Sequence, residues 1–378
     1  MTYTVAMQSY LELQKSVLQK NYALVRSVLP EKIKIISVVK GNGYGLGLSE
    51  VVKILAPVTD WFCVEDAQEL KVVRSISLKP CLVTGYVLAE DLDESIVLQS
   101  RFSLFSWDQI PVLENIAKKF NRALQIHIKC DLLFGRLGFL EDDISHLCDV
   151  LKNMREFRVE GVYGHYISSL SRFDSLTNLQ EEMFAKTCDT FRQKGFGDIV
   201  PHLAASGGIL HRFKRLDQDL FIRPGALLYG IWPSTKNLPQ HNALKGLSLC
   251  FSWKSRLIHV KKVPERYLVG YDATFTTSRP SVLGVFPLGY SDGVDRGLSN
   301  KGFVLVRGQR CPIIGNVSMN VTTVDVTDAL GVSVGDEVVL MGKQGEASIH
   351  PCDLAEKADT TSYELCARIS PSLARIVV

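Results

Sequence analysis

Nothing in this 378-residue chain pairs its cysteines. The nine are odd in number, widely spaced and mostly embedded in apolar runs (Cys63, Cys81, Cys130, Cys250), and no Cys-x-x-Cys occurs. They read as reduced core residues, which excludes a disulfide scaffold and points to a cytoplasmic protein. Long hydrophobic runs are also missing, so no membrane span is expected. Neither sign of charge dominates: 43 Lys and Arg stand against 40 Asp and Glu, for a net charge of +3. The basic residues are scattered apart from short runs such as Arg212 to Arg215. No nucleic-acid or membrane-surface partner is implied. There is no low-complexity tract and no repeat of fixed period. The stretch from Tyr10 to Lys20 reads as an amphipathic helix, with Tyr10, Leu11, Leu13, Val17 and Leu18 opposite Glu12, Lys15 and Lys20. It lacks the basic start and continuous apolar core of a signal peptide.

What is present has the texture of a large globular core. Apolar, β-rich runs recur at Ile33–Lys40, Trp61–Val64, Cys81–Tyr86, Phe102–Ser106, Leu124–Cys130, Val159–Tyr166, Ile199–Ser206 and Leu220–Tyr229. Between most of them lie segments of helical period: Leu48–Ala56, Ala67–Ile76, Gln109–Phe120, Ile144–Met154 and Leu179–Lys194. Eight strand-helix alternations predict parallel pairing through crossovers, and eight is the count of a (β/α)8 TIM-type barrel. Beyond a mildly polar linker near Pro233 to Asn242 the pattern changes to strands and turns, with Pro351–Ala358 alone looking helical. The expected fold is therefore α/β: a barrel over residues 1–240, followed by a β-rich C-terminal domain over 241–378.

In a barrel the residues at the C-terminal strand ends meet at one mouth. Taken in order these are Lys40, Arg136, His165, Ser206 and Arg223. Singly, each has an ordinary structural role as a solvated strand-end charge, a bonded core histidine or a helix cap. Together, one amine, two guanidiniums, an imidazole and a hydroxyl make a site for something anionic. Arg223-Pro224-Gly225-Ala226 adds backbone amides free to face a phosphate, and Ser206-Gly207-Gly208 looks like the opening of a helix. A lysine able to form a Schiff base, a phosphate cradle and an arginine suited to a pyridine nitrogen suggest pyridoxal 5'-phosphate, and no metal ligands are assigned.

The chain resembles the alanine racemases of the barrel (fold type III) family over essentially its whole length. The resemblance is carried by Val38-Val39-Lys40-Gly41-Asn42-Gly43-Tyr44-Gly45-Leu46-Gly47, Gly135-Arg136-Leu137-Gly138-Phe139, Glu160-Gly161-Val162-Tyr163-Gly164-His165 and Arg223-Pro224-Gly225 with Leu228-Tyr229-Gly230. Gly270-Tyr271-Asp272-Ala273-Thr274-Phe275, Gly289-Tyr290-Ser291-Asp292-Gly293 and Val317-Ser318-Met319 extend it. It implies that Lys40 binds the cofactor covalently, that Tyr44, Ser206, Gly225 and Ala226 hold its phosphate, and that Arg223 faces the pyridine nitrogen, with His165 beside the ring. Arg136 and Met319 would meet the substrate. Lys40 and Tyr271 would be the two bases that interconvert L- and D-alanine, supplying D-alanine for peptidoglycan. A homodimer with shared sites is implied, each second domain completing the partner's barrel. Lys129 matches a lysine that is carbamylated in some members.

Several positions depart from the family. Leu132-Leu133-Phe134 replaces Thr-Gly-Met, Ala205 replaces an asparagine, and Asn316 and Asn320 replace an arginine and an aspartate. Pro371 aligns with a tyrosine that contacts phosphate, at a cost of roughly 1.5–3 kcal/mol for a charge-assisted bond. These changes leave open a racemase of serine or of broader specificity, and a non-catalytic pyridoxal-phosphate carrier is the alternative of another class.

Overall fold

The computed structural model describes residues 8–168, 174–212, 219–232 and 244–378. The linker at 233–242, the 240/241 boundary and the side chains of the basic run at 212–215 lie outside the described residues.

All eight expected barrel strands form. After β1 (Tyr10–Leu13) come β2 (Lys34–Val38), β3 (Trp61–Val64), β4 (Cys81–Val83), β5 (Ser100–Leu104), β6 (Leu124–Lys129), β7 (Phe157–Tyr163), β8 (Val200–His202) and β9 (Phe221–Ile222). They pair in parallel in the order β8-β7-β6-β5-β4-β3-β2-β9. A bridge between Ala205 and Arg223, with Leu220 N–H donating to Pro201 O at 2.9 Å, joins β9 back to β8. The helices Leu48–Leu55, Ala67–Ile76, Gln109–Lys119, Ile144–Leu151 and Asp174–Gln193 lie close to the segments of helical period.

Strand residues alternate between two environments. Ile33, Ile35, Val39, Phe62 and Val64 join the large core beneath the helices, while Ile36, Val38, Trp61, Cys63, Leu82 and Phe221 form a separate apolar cluster. The fully buried positions of β5 to β8 that alternate with the helix-facing ones are polar: Ser103, His127, Tyr163 and His202, with Arg101, Lys129 and, just beyond β9, Arg223 almost as deep. Half of the barrel is thus filled by hydrocarbon and half by hydrogen-bonding groups. Burial of that kind is tolerable only when the groups bond one another.

The strand β2 ends at Val38, two residues before Lys40. There the chain makes a left-handed turn, with φ of +65° at Gly41, +54° at Asn42, +63° at Gly43 and +57° at Tyr44. Left-handed conformation costs a non-glycine residue roughly 1–2 kcal/mol, which explains the glycines and places the strain on Tyr44. Side chains pin the turn: Glu69 accepts from the Asn42 amide at 3.0 Å, and Asn42 Oδ1 accepts from the Leu48 amide at 2.9 Å.

The C-terminal part is β-rich as expected, its main sheet built around β10 (Phe251–Arg256) and the strand Glu337–Gln344. Two local expectations are corrected. Tyr10–Leu13 is a strand, not the start of a helix, and the helix begins at Lys15. β1 pairs antiparallel with β10 and parallel with Ala374–Val377, so its alternating Leu11 and Leu13 are buried in the second sheet. A second C-terminal helix, Ser362–Ala367, follows Pro351–Ala358 and is capped by the Thr361 hydroxyl, which accepts from the Glu364 amide at 3.3 Å. No helix among the described residues is long and apolar enough to cross a membrane.

Candidate active site

A cavity of 530 Å³ opens at the C-terminal ends of the barrel strands, lined by Lys40, Tyr44, Lys129, Arg136, His165, Ser206, Arg223, Gly225 and Ala226 among others. All the barrel residues singled out from the sequence converge there. Tyr271 and Met319 do not. Tyr271 is 72% exposed and lines a separate cleft with Tyr290, Asn316 and Ser318, and Met319 is exposed as well. Asn316 Nδ2 donates to Tyr271 O at 3.1 Å, and Asn320 Nδ2 donates to Ser291 Oγ at 2.9 Å.

Among the described residues Lys40, Lys129, Arg136 and Arg223 are the cations that line the cavity, and Lys40 is paired with the carboxylate of Glu65. Lys40 Nζ donates to Glu65 Oε2 at 2.7 Å, and the Thr84 hydroxyl donates to the same oxygen at 3.0 Å. Burial acts to raise the Glu65 carboxyl, but the bond and charge of Lys40, with Thr84 and Arg136, outweigh it and hold the group below its ordinary value. Burial and the charges of Arg223, Arg136 and Lys40 push the Lys129 ammonium down to about 8. Burial and the same cations, with Lys129, push His165 down to about 3, so its imidazole is neutral. Arg136 stacks its guanidinium on Phe134, 4.4 Å from the ring centroid, and Phe134 packs edge-on against His165 at 5.6 Å. The loop carrying them is fixed by Asp131, which accepts from the amides of Phe134, Gly135 and Arg136 at 2.7, 3.1 and 3.0 Å. Leu133 is held there at φ +69°.

Arg223 is the most constrained side chain of the site. Nη1 donates to His202 O at 2.8 Å and to His202 Nδ1, and Nη2 donates to Gly164 O at 2.6 Å and Leu203 O at 3.3 Å. A guanidinium has five N–H groups and accepts nothing. Four are directed into the barrel wall, which leaves Nε–H for the cavity. On the opposite side, Ser206 Oγ accepts from the amides of Gly225 and Leu227 at 3.0 and 3.2 Å, ordering the start of the short helix Ala226–Tyr229. The Tyr44 phenol reaches the same place only because residue 225 has no side chain: a Cβ there would meet Tyr44 Oη at 2.3 Å.

The sequence pointed to Pro371 as a wall of this site. Instead Pro371 lines a surface cleft with Asn42, Glu69 and Arg375, and the phenol at the cavity wall is that of Tyr363. The loss of a phosphate-side hydroxyl expected from Pro371 is therefore withdrawn. Tyr363 sits on the unanticipated helix Ser362–Ala367, whose Thr361-x-x-Glu364 start is a readable capping signal. Glu65, Thr84 and the buried histidines His127 and His202 were also missed, since no local motif marks them.

A parallel eight-stranded barrel whose mouth gathers an amine and three further cations defines a (β/α)8 enzyme with an anion-receiving cavity, backed by a second, β-rich domain. Two family models match, the N-terminal domain of alanine racemase over residues 13–233 and its C-terminal domain over 250–377. An alanine racemase of Halothermothrix orenii is 34% identical across 99% of this chain and 98% of its own. Alanine racemase 2 of Caldanaerobacter subterraneus subsp. tengcongensis is 32% identical over 95% of this chain and 92% of its own. Among solved structures, alanine racemase from Bacillus anthracis with bound L-Ala-P superposes with a TM-score of 0.89 at 25% identity, covering 98% of this chain and 95% of that one. The chain belongs to the alanine racemase family.

Proposed function

We propose that the chain is a pyridoxal 5'-phosphate-dependent racemase of alanine. The observation that carries this reading is the cavity itself, where the Lys40 amine, the Nε–H of Arg223 and the amides and hydroxyls around Gly225 converge. The cavity fits the cofactor on the chain's own terms, since the missing Cβ at Gly225 opens a polar cradle beside Tyr44 and Ser206. Tyr44, Ser206, Gly225 and Ala226 would hold the phosphate, Arg223 would meet the ring nitrogen and His165 would lie beside the ring. When bound, the cofactor supplies an electron sink that acidifies the substrate Cα–H.

The protein moves the proton. Lys40 serves one face of Cα and Tyr271 the other, while Arg136 orients the substrate carboxylate and Met319 bounds the substrate. Tyr271 lies outside the cavity of its own chain, in a cleft with the exposed Tyr290, and Met319 is exposed too, which supports a homodimer in which each second domain, residues 241–378, completes the barrel, residues 1–240, of its partner. The cations that line the cavity among the described residues, Lys40, Lys129, Arg136 and Arg223, suit an anionic cofactor and an amino-acid carboxylate. The reading includes a cytoplasmic enzyme that supplies D-alanine to peptidoglycan.

The test is α-hydrogen exchange in heavy water with L-alanine and, separately, L-serine. Exchange and racemisation of alanine are expected, and none with alanine overturns the proposal. Tyr271→Phe should abolish turnover yet leave the absorbance of the lysine-bound cofactor unchanged. A carrier protein would be indifferent to that substitution.

A further inference from the structure

The polar half of the barrel interior is one connected chain of groups. It starts at the cavity with Arg223, passes through His202 and His127, and ends at Glu160 and Arg101 near the opposite, N-terminal end of the strands. His202 Nε2 lies 2.8 Å from His127 Nδ1, and His127 Nε2 points at Glu160 Oε2 at 3.6 Å with no other partner. Arg101 closes the chain with two bonds to Glu160, at 2.7 and 3.1 Å, its guanidinium lying over Trp61 at 4.5 Å. Tyr163 stacks on His202 with ring centroids 4.9 Å apart and an interplanar angle of 5°. Gly161 makes room for the chain: a Cβ there would sit 2.4 Å from His127 Nδ1.

The ends of this chain determine where its protons are. Arg223 can only donate, so His202 Nδ1 must accept from it and a neutral His202 carries its proton on Nε2. That N–H donates to His127 Nδ1, which places the His127 proton on Nε2, facing the carboxylate. A second proton on either ring breaks the sequence. An Nδ1–H on His202 would confront the guanidinium, and an Nδ1–H on His127 would confront the Nε2–H of His202. The charged and titratable groups facing the two rings are Arg223, Lys129, Arg101, Glu160 and Tyr163. Glu160 alone favours an imidazolium, and Arg101 neutralises it.

We propose that Arg101 and Glu160 are positioning residues for the cavity: as a charge-compensated terminus they hold His127 and His202 neutral with the proton on Nε2, and so keep Arg223 locked with Nε–H as the donor it offers there. This rests on the reading that the cavity binds pyridoxal 5'-phosphate, but its structural half concerns the chain alone. Burial of both imidazoles acts in the same direction.

Long-range 1H–15N spectra of the full chain labelled at histidine, with signals assigned through His127→Gln and His202→Gln, read the tautomers directly. Both rings are expected as neutral Nε2–H forms from about pH 6 to about pH 8.5. Arg101→Gln leaves Glu160 uncompensated and should bring a histidine titration into that range. Cofactor affinity should then fall at least about tenfold at about pH 6, the size of one charge-assisted bond, and by no more than about twofold at about pH 8.5. The double variant R101Q/E160Q removes the pull and should restore the wild-type spectra and affinity. A wild-type imidazolium or Nδ1–H tautomer, an affinity loss equal at both pH values, or no rescue in the double variant overturns the proposal. If Arg101→Gln does not fold, Arg101→Lys should show a smaller loss with the same pH dependence, and a pH-independent affinity there is equally fatal. Expected spectra in a chain that exchanges no alanine hydrogen would refute the proposed function and leave the positioning role standing.

Discussion

Alanine at position 225 should damage the site chiefly through Tyr44. The φ of Gly225 is −119°, so no left-handed strain is involved. The three atoms nearest an added Cβ all belong to Tyr44: Oη at 2.3 Å, Cζ at 2.8 Å and Cε2 at 3.0 Å. Tyr44 has little room to retreat, because its ring packs 5.2 Å from that of Tyr229 and its backbone is already left-handed. Overpacking of this kind costs roughly 1–3 kcal/mol of stability. Displacing the phenol from the phosphate side removes a bond worth roughly 1.5–3 kcal/mol, so the cofactor dissociation constant should rise roughly ten- to a hundredfold. Stability is read by denaturant unfolding of the cofactor-free protein and affinity by absorbance titration with pyridoxal 5'-phosphate. The decisive measurement is the same substitution made in Tyr44→Ala protein, where the three atoms nearest the added Cβ are gone. There Gly225→Ala should cost no more than about 0.5 kcal/mol, leaving a coupling of about 1 kcal/mol or more between the two positions. Equal costs in the two backgrounds would show that the cradle does not depend on this contact.

Mixing inactive Lys40→Ala and Tyr271→Phe proteins, with unfolding and refolding to exchange subunits, should recover part of the racemase activity, and no recovery would count against shared sites. Burial, outweighing bonds from the Leu203 and Ala204 amides and the charge of Arg223, raises the Asp219 carboxyl to about 7. The folded chain therefore keeps a proton that the unfolded chain loses near about pH 4. Stability should decline as pH rises from about 4 to about 7 and level off above, and Asp219→Asn should remove that slope in denaturant titrations. Leu133→Gly relieves a leucine held at φ +69° on an exposed loop, so unfolding experiments should show no loss of stability and a gain of up to about 1 kcal/mol.

The barrel was legible because its strands are buried on both faces and read as continuous apolar runs, as Ile33 to Val39 does. The cavity was legible because Lys40, His165, Ser206 and Arg223 all follow strand ends, where topology alone brings them together. Tyr10–Leu13 misled because four residues cannot separate a period of 3.6 from one of 2, and Leu11 and Leu13 alternate as a strand requires. Pro371 misled for a different reason: the C-terminal stretch holds few family-like residues to fix its register, and the phenol that lines the cavity is that of Tyr363, eight positions earlier. His127, Glu160 and His202 lie on three strands and become neighbours only through the register that sets His127 beside Gly161 and Tyr163 beside His202. No spacing along the chain encodes such a set, although Gly161, kept small by the imidazole beside it, is its visible trace.

The placement of β1 between β10 and the strand Ala374–Val377 ties the two halves of the molecule twice over. The polypeptide enters through the second sheet, leaves to wind the barrel, and returns, so any swivel between the halves must strain two separate crossings. A double tether suits the proposed sharing of Tyr271 between subunits, since the angle at which it is presented is then set by the whole body and not by a loose joint. On the ribosome, β1 also waits for Ala374–Val377, more than 350 residues later, to emerge before both of its edges are paired, which makes this topology slow to complete and exposed to misassembly in the interval.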